Sequence, residues 1–145
     1  MLAIEPLIIE NYVHTGKVRL VFRDVLNHGE RSERASEAAA CAGNQGYFWE
    51  MHSVVFESQD VVWGTSNDSL SDLIIQFGTQ IDGLEIETYR QCLEERSTIE
   101  KLRAADDEQR SRGITSQPIF EIGGHRLFGL QSYDTMSAWI EEVLK

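Results

Sequence analysis

The chain has few cysteines, few prolines and no long apolar run among its 145 residues. Two cysteines are too few for a disulfide-rich scaffold or a four-ligand zinc site. No stretch reaches the roughly 18 apolar residues of a membrane-spanning helix. Basic residues are also scarce, with 13 lysines and arginines against 24 acidic residues and a net charge of −11. Because nucleic acids and anionic membranes need a basic surface, we expect neither as a partner.

The composition is otherwise that of an ordinary folded protein, with 41% hydrophobic and 26% charged residues. A chain of this length is expected to form one domain, covering residues 1–145. The sequence shows no signal peptide. Instead, Met1 opens directly onto amphipathic sequence, an abrupt beginning for a domain.

The hydrophobic spacing changes along the chain. Leu2 to Val13 has helical spacing, and Pro6 predicts either a helix that starts near Glu5 or a kink. Apolar and polar residues alternate over Lys17–Val25, which predicts a strand. Helical spacing then returns, with alanine-rich sequence that indicates close packing. These later predicted helices cover Glu30–Cys41, Tyr47–Glu57, a segment capped by Asn67 or Asp68, Ile86–Leu93 and Ser97–Arg112.

The last third of the chain predicts a hairpin and a final helix. The segments Pro118–Ile122 and Arg126–Leu130 flank a Gly-Gly pair, which suits a tight antiparallel turn. Ser132 is placed to cap the last helix. Three strands among several helices predict an α/β fold in which helices cover one sheet. The block from about residue 30 to residue 113 is then a helical insertion between the first strand and the hairpin.

Three segments carry a resemblance to a known family. Thr15–Asp24 resembles the strand after that family's active-site helix. Ala38–His52 is similar to its helical insert, and Gly113–Arg126 resembles its cis-proline loop and hairpin. In this order they resemble the DsbA-like thioredoxin-fold proteins, which are bacterial thiol–disulfide oxidoreductases. The resemblance implies a thioredoxin-like fold with a large helical insertion, and protein or peptide disulfides as substrates.

The sequence departs from that family in its catalytic motif. The family begins with a strand and a Cys-x-x-Cys pair, whereas Cys41 and Cys92 here are 51 residues apart. Disulfide exchange needs a thiolate beside a resolving thiol. We therefore expect the chain as given to be N-terminally incomplete, through truncation or a mis-assigned start, and inactive. To compensate for the missing family strand, we expect Val18–Phe22 to pair with the hairpin or the chain to self-associate.

The substrate-binding part of the family is still recognisable. By resemblance, Pro118 is a cis proline, and Ser116 and Gln117 before it offer backbone groups to an extended peptide. Gln117 departs from the small or β-branched residue expected there. The alternative is that Pro118 only begins an edge strand, where a missing N–H is tolerated.

The remaining cysteines and histidines suit structural roles. Cys41 and Cys92 are either two buried free thiols or a structural disulfide, and the resemblance allows the second. His52 lies on an apolar stripe, which favours a buried structural histidine. No histidine spacing indicates a metal site. The charged stretch Glu94–Arg112 predicts a solvated helix face with pairs such as Arg96–Glu100.

Two functions from different classes follow. In the first, a longer natural protein oxidises or isomerises protein disulfides outside the cytoplasm, as the family implies, with cysteine-containing proteins or peptides as substrates and no cofactor. In the second, the chain is a redox-inactive module that binds peptides or a protein through the Pro118 loop. A non-functional gene remnant is a third possibility. Upstream coding sequence containing Cys-x-x-Cys would support the first.

Overall fold

The computed structural model describes residues 4–145. In this part of the chain it contains eight α-helices, one π-helical turn and one two-stranded sheet. The helices are α1 (Glu5–Ile8), continued by a π turn (Ile9–Val13), α2 (Glu30–Gly43), α3 (Phe48–Glu57), α4 (Gln59–Gly64), α5 (Asn67–Gly78), α6 (Ile86–Glu94), α7 (Ile99–Ser111) and α8 (Tyr133–Val143). The strands are β1 (Ile119–Ile122) and β2 (His125–Phe128).

The first helix, α1, begins one residue before Pro6. Pro6 lies in the first turn of α1, where its missing N–H costs no helical hydrogen bond. The prediction that the helix starts near Glu5 is therefore confirmed. Leu2, the beginning of the predicted helical spacing, lies outside the described residues.

The helical layer, formed by α2, α3, α5 and α6, contains most of the buried core. Ala38 and Ala42 on α2 are completely buried, so neighbouring helices approach α2 closely, as the alanine-rich sequence predicts. The Tyr89 hydroxyl donates to the Ile74 carbonyl oxygen at 3.1 Å, which satisfies a polar group in this core. Buried members from these four helices include Ala38, Cys41, Ala42, Met51, Leu70, Ile74, Phe77, Tyr89 and Leu93.

The hairpin forms as predicted. β1 and β2 are antiparallel, with Ile119 opposite Phe128 and Ile122 opposite His125. Gly123 and Gly124 connect them, and both have positive φ, which suits a tight two-residue turn. The predicted second strand extended to Leu130, but β2 ends at Phe128 because Gly129 takes a φ of +77°.

A second, smaller core lies under the hairpin. Ile8 and Tyr12 pack there with Met136 and Ile140 of α8. The side chain of Ser132 caps α8 by accepting from the Thr135 N–H at 3.1 Å, as predicted. We call this region the hairpin side: α1, its π turn, residues 17–25, β1, β2 and α8.

The predicted strand over Lys17–Val25 is wrong. The segment is irregular, and the sheet of the described residues contains only β1 and β2. Val18–Phe22 likewise forms no ladder with the hairpin. Alternation gives a segment one apolar face, but a strand also requires a neighbouring strand for its hydrogen bonds. Self-association, the other expected way of completing the sheet, stays a prediction.

The predicted Arg96–Glu100 pair is also wrong. Arg96 lies between α6 and α7 with a φ of +52°, and its guanidinium binds Glu33 and Glu37 of α2 at 2.8 and 2.9 Å. Glu37 is completely buried. Arg103 of α7 reaches Glu33 at 2.9 Å. The charged stretch is therefore only partly solvated, because two of its arginines hold α7 against α2.

Candidate functional site

The loop before β1 is held at both ends and exposed between them. α7 ends at Ser111, and Gly113 shortly after it has a φ of +76°. Ile114 then turns inward, where it is buried and donates its N–H to the Gln109 carbonyl oxygen at 3.0 Å. Ser116 and Gln117 are exposed. The Gln117–Pro118 peptide bond is cis, and β1 begins at the next residue.

The backbone of this loop has unused hydrogen-bonding groups. Thr115 accepts from the side chain of Asn27 at 3.2 Å, and Pro118 accepts from the Gly129 N–H at 2.9 Å. Between them, neither Ser116 nor Gln117 has a backbone hydrogen bond within residues 4–145. These groups are therefore available to an extended peptide that runs beside the loop.

Two exposed apolar side chains lie next to the loop. The Gly129–Pro118 hydrogen bond brings the end of β2 beside Pro118. Phe128 and Leu130 flank Gly129 and are 65% and 74% exposed, so they offer apolar surface near the unused backbone groups. Our sequence reasoning missed both residues because it placed them inside a strand. The sequence signal that could have identified them is Gly129, which lies between these two large apolar residues at the end of the hairpin.

The two cysteines lie in the helical layer and form a disulfide. Cys41 of α2 and Cys92 of α6 have Cα atoms 5.9 Å apart. Cys41 is 1% exposed and packs beside Thr98. Of the two alternatives considered for these residues, the structure has the disulfide. This bond joins two helices of the insertion, α2 and α6.

His52 is a buried residue in an aromatic environment. Its ring lies 4.7 Å from that of Phe22 and 4.4 Å from that of Phe56, between ring centroids. Burial lowers the pKa of His52 to about 4, so the imidazole is neutral at pH 7. Glu5 lies 3.6 Å from Nδ1, and burial raises the pKa of this carboxyl group. The structure buries His52 as predicted, but neither ring nitrogen has a hydrogen-bond partner within residues 4–145.

The other histidines are dispersed. His14 pairs with Glu10 at 3.1 Å, whereas His28 and His125 lie against the rings of Trp63 and Trp139. Within residues 4–145, no three metal-binding side chains come together. In the same residues, no helix has both the length and the apolar character needed to cross a bilayer.

A comparison with protein families gives a match over almost the whole chain. A thioredoxin family model matches residues 3–142. The chain is also similar to the solved structure of oxidised BdbD from Bacillus subtilis, with a TM-score of 0.68. That similarity covers 96% of this chain and 75% of BdbD at 17% sequence identity, so it shows the fold alone.

Curated relatives are longer than this chain. A protein named as a protein-disulfide oxidoreductase in Rickettsia felis is 27% identical over 141 residues, which cover 97% of this chain and 49% of the relative. The Na(+)/H(+) antiporter NhaA 3 of Salinispora tropica is 26% identical over 136 residues, or 92% of this chain and 20% of the antiporter. The chain therefore spans between about a fifth and about a half of these relatives.

Proposed function

Because the chain belongs to the thioredoxin family, as a DsbA-like thioredoxin-fold protein, we propose that it carries the substrate-binding part of a thiol–disulfide oxidoreductase. In this proposal, Ser116, Gln117 and Pro118 bind extended segments of cysteine-containing proteins or peptides. The observation that carries it is the exposed loop, in which Ser116 and Gln117 have unused backbone groups directly before β1.

The apolar side chains beside the loop support peptide binding. Strand-like recognition uses backbone hydrogen bonds for affinity and neighbouring side-chain contacts for specificity. Phe128 and Leu130 can provide such contacts, because a bound peptide would cover their exposed apolar surface. We propose that they pack on apolar residues flanking the substrate cysteine.

The 145-residue chain is proposed to bind without exchanging disulfides. Exchange requires attack by a thiolate on a disulfide sulfur. The only cysteines of the sequence, Cys41 and Cys92, are joined to each other, and Cys41 is buried. No thiol is therefore available beside the loop. The alternative function, a redox-inactive peptide-binding module, uses the same residues and differs only in whether a longer protein supplies the dithiol.

Two assays on the 145-residue chain test this proposal. In an insulin-reduction assay we expect a rate equal to that of buffer, and activity clearly above buffer would contradict the proposal. In the second assay, a fluorescent peptide with one cysteine between apolar residues is titrated against the chain. We expect saturable binding that Leu130→Ser weakens.

A matched variant controls for a general loss of apolar surface. Val61 lies on α4 and is 53% exposed, so Val61→Ser removes a comparable exposed apolar side chain outside the loop. We expect Val61→Ser to bind the peptide as the unmodified chain does. Equal weakening by both variants would show that binding does not depend on the loop.

A further inference from the structure

Asn27 holds the loop before β1 from the side. Its Nδ2 group donates to the Thr115 carbonyl oxygen at 3.2 Å, across 88 residues of sequence. Within residues 4–145, no other side chain forms a hydrogen bond with the backbone of residues 115–117. The bond therefore fixes the residue directly before Ser116 and Gln117, whose backbone groups are unused.

The side-chain amide of Asn27 is held in one orientation by Arg110. Asn27 Oδ1 accepts from Arg110 Nη2 at 3.0 Å, and Arg110 Nη2 also donates to the Leu26 carbonyl oxygen at 3.4 Å. A side-chain amide has an acceptor on one side and donors on the other. Only the present orientation directs the acceptor at the guanidinium and a donor at the Thr115 carbonyl oxygen. Arg110 therefore selects the orientation in which Asn27 can hold the loop.

Arg110 is itself fixed on α7 by the buried Asp106. Arg110 Nε donates to Asp106 Oδ2 at 2.7 Å, and Asp106 Oδ1 accepts from the Leu26 N–H at 2.8 Å. Burial alone would raise the pKa of Asp106, but the Arg110 guanidinium and the Leu26 N–H together hold it below its ordinary range. The carboxylate is therefore ionised at pH 7. Leu26, Asn27, Asp106 and Arg110 form a closed ring of contacts, here called the Asn27 network.

We propose that Asn27 is a positioning residue for peptide binding: held by Arg110, it keeps Ser116 and Gln117 in the arrangement that pairs with a peptide backbone. This inference rests on the proposed function of the loop. Ordering a flexible backbone during binding costs conformational entropy. A loop that is already ordered avoids this cost and binds more tightly. Asn27 acts through the Thr115 carbonyl group and does not require contact with the peptide.

The other supports of the loop hold its two ends. Ile114 is buried before the loop, and Pro118 accepts from the Gly129 N–H at its end. These contacts do not involve Asn27. Loss of the Asn27 bond should therefore leave the fold intact while residues 115–117 become more mobile. A positioning role thus predicts a change in peptide affinity with little change in stability.

The first test replaces Asn27 with a residue of nearly the same shape. Asn27→Asp keeps an acceptor for Arg110 but places a carboxylate oxygen, rather than a donor, against the Thr115 carbonyl oxygen. We expect the dissociation constant of the cysteine-containing fluorescent peptide to rise about tenfold. The urea midpoint of the chain should change little. An affinity equal to that of the unmodified chain would overturn the proposal.

Gln45→Glu is the matched control. Gln45 Nε2 donates to the Glu85 carbonyl oxygen at 3.2 Å, and its Oε1 accepts from the Glu85 N–H at 2.9 Å. The variant makes the same amide-to-carboxylate change, with the same added charge, at the junction of α2 and α6. We expect it to bind the peptide as the unmodified chain does. Equal weakening by Gln45→Glu and Asn27→Asp would assign the effect to charge and contradict the proposal.

A double-variant cycle tests whether Arg110 acts through Asn27. Arg110→Ala alone should weaken peptide binding about fivefold, because the amide of Asn27 loses its orientation. In the Asn27→Ala background, the same Arg110→Ala change should have no further effect on the affinity. The affinities are compared without urea, where circular dichroism checks that each variant is folded. Additive losses of affinity would contradict the proposed route.

Nitrogen-15 relaxation of the free chain gives a measurement that does not require the peptide. In Asn27→Ala, the backbone order parameters of Ser116 and Gln117 should fall toward about 0.6, the range of flexible backbone, while that of Leu127 in β2 stays unchanged. Unaltered order parameters at Ser116 and Gln117 would overturn the inference. Failure of the unmodified chain to bind the peptide would instead contradict the proposed function, and the relaxation result would still decide whether Asn27 orders the loop.

Discussion

The helical layer and the hairpin side differ in where their backbone N–H and C=O groups find hydrogen-bond partners. In the helical layer, α2, α3, α5 and α6 make their hydrogen bonds internally and bury Ala38, Met51 and Tyr89 completely. On the hairpin side, four buried residues lie beneath two strands and an irregular segment with unused backbone groups. A helix forms its backbone hydrogen bonds within itself, whereas each strand of a sheet needs a neighbouring strand for its hydrogen bonds. The Ser116–Pro118 loop that we propose to bind peptides leads directly into β1 of the hairpin side.

Removal of the disulfide should have the largest effect. Closing a loop between Cys41 and Cys92, which are 51 residues apart, restricts the unfolded chain by about 4 kcal/mol in the chain-entropy estimate. We expect the double variant Cys41→Ala, Cys92→Ala to lose about this free energy of unfolding in urea titrations followed by circular dichroism. A loss below about 1 kcal/mol would show that the bond contributes little to the helical layer.

Truncation of one isoleucine in each region compares their packing directly. Ile74 of α5 is 1% exposed and Ile140 of α8 is 4% exposed. Ile74→Ala should cost about 3–4 kcal/mol, because the dense helical layer cannot collapse around the cavity. Ile140→Ala should cost about 2 kcal/mol, because its small core can relax. Urea titrations of both variants check this order, and a larger cost for Ile140→Ala would reverse the comparison.

The buried His52 connects the two regions and should make stability depend on pH. Its folded-state pKa of about 4 lies below the 6.5 of an unfolded histidine, so the unfolded state binds the proton first as pH falls. Stability contributed by the neutral ring is complete above about pH 6.5 and declines toward pH 4. Between pH 7 and pH 5 the loss should be about 2 kcal/mol.

A variant isolates this histidine from the carboxyl groups. Burial raises the pKa of Glu5 above its ordinary value, so the folded state binds this proton before the unfolded state as pH falls. Glu5 therefore adds stability at low pH, whereas His52 loses it. His52→Phe keeps an aromatic ring among Phe22 and Phe56 and removes the titrating group. Its urea midpoint should therefore be nearly flat from pH 7 to pH 5, and an unchanged slope would exclude His52 as the cause.

Phe128 should matter least for stability. Its side chain is exposed, so Phe128→Ser should change the free energy of unfolding by less than about 0.5 kcal/mol. The same variant should weaken the cysteine-containing peptide proposed to bind at the loop. A strong loss of stability in thermal melts would instead show that Phe128 supports the hairpin.

Local signals predicted the helices and the hairpin well. Pro6, the alanine run before Cys41, Gly123-Gly124 and Ser132 each specify their element through nearby backbone chemistry. The strand over Lys17–Val25 failed because pairing depends on a distant partner, which alternation does not reveal. For the same reason, the Arg96 contacts with α2 and the exposed Phe128 and Leu130 beside Pro118 were not predicted.

Amide hydrogen exchange along β1, measured by NMR on the free 145-residue chain, tests the contrast between the two regions most directly. The amides of Phe120 and Ile122, which bond to β2, should be protected, and amides within α2 and α5 should be protected more strongly. The amides of Ile119 and Glu121 should exchange nearly as fast as in an unstructured peptide. Equal protection of all four β1 amides would contradict the unpaired outer edge of β1 and the contrast between the two regions.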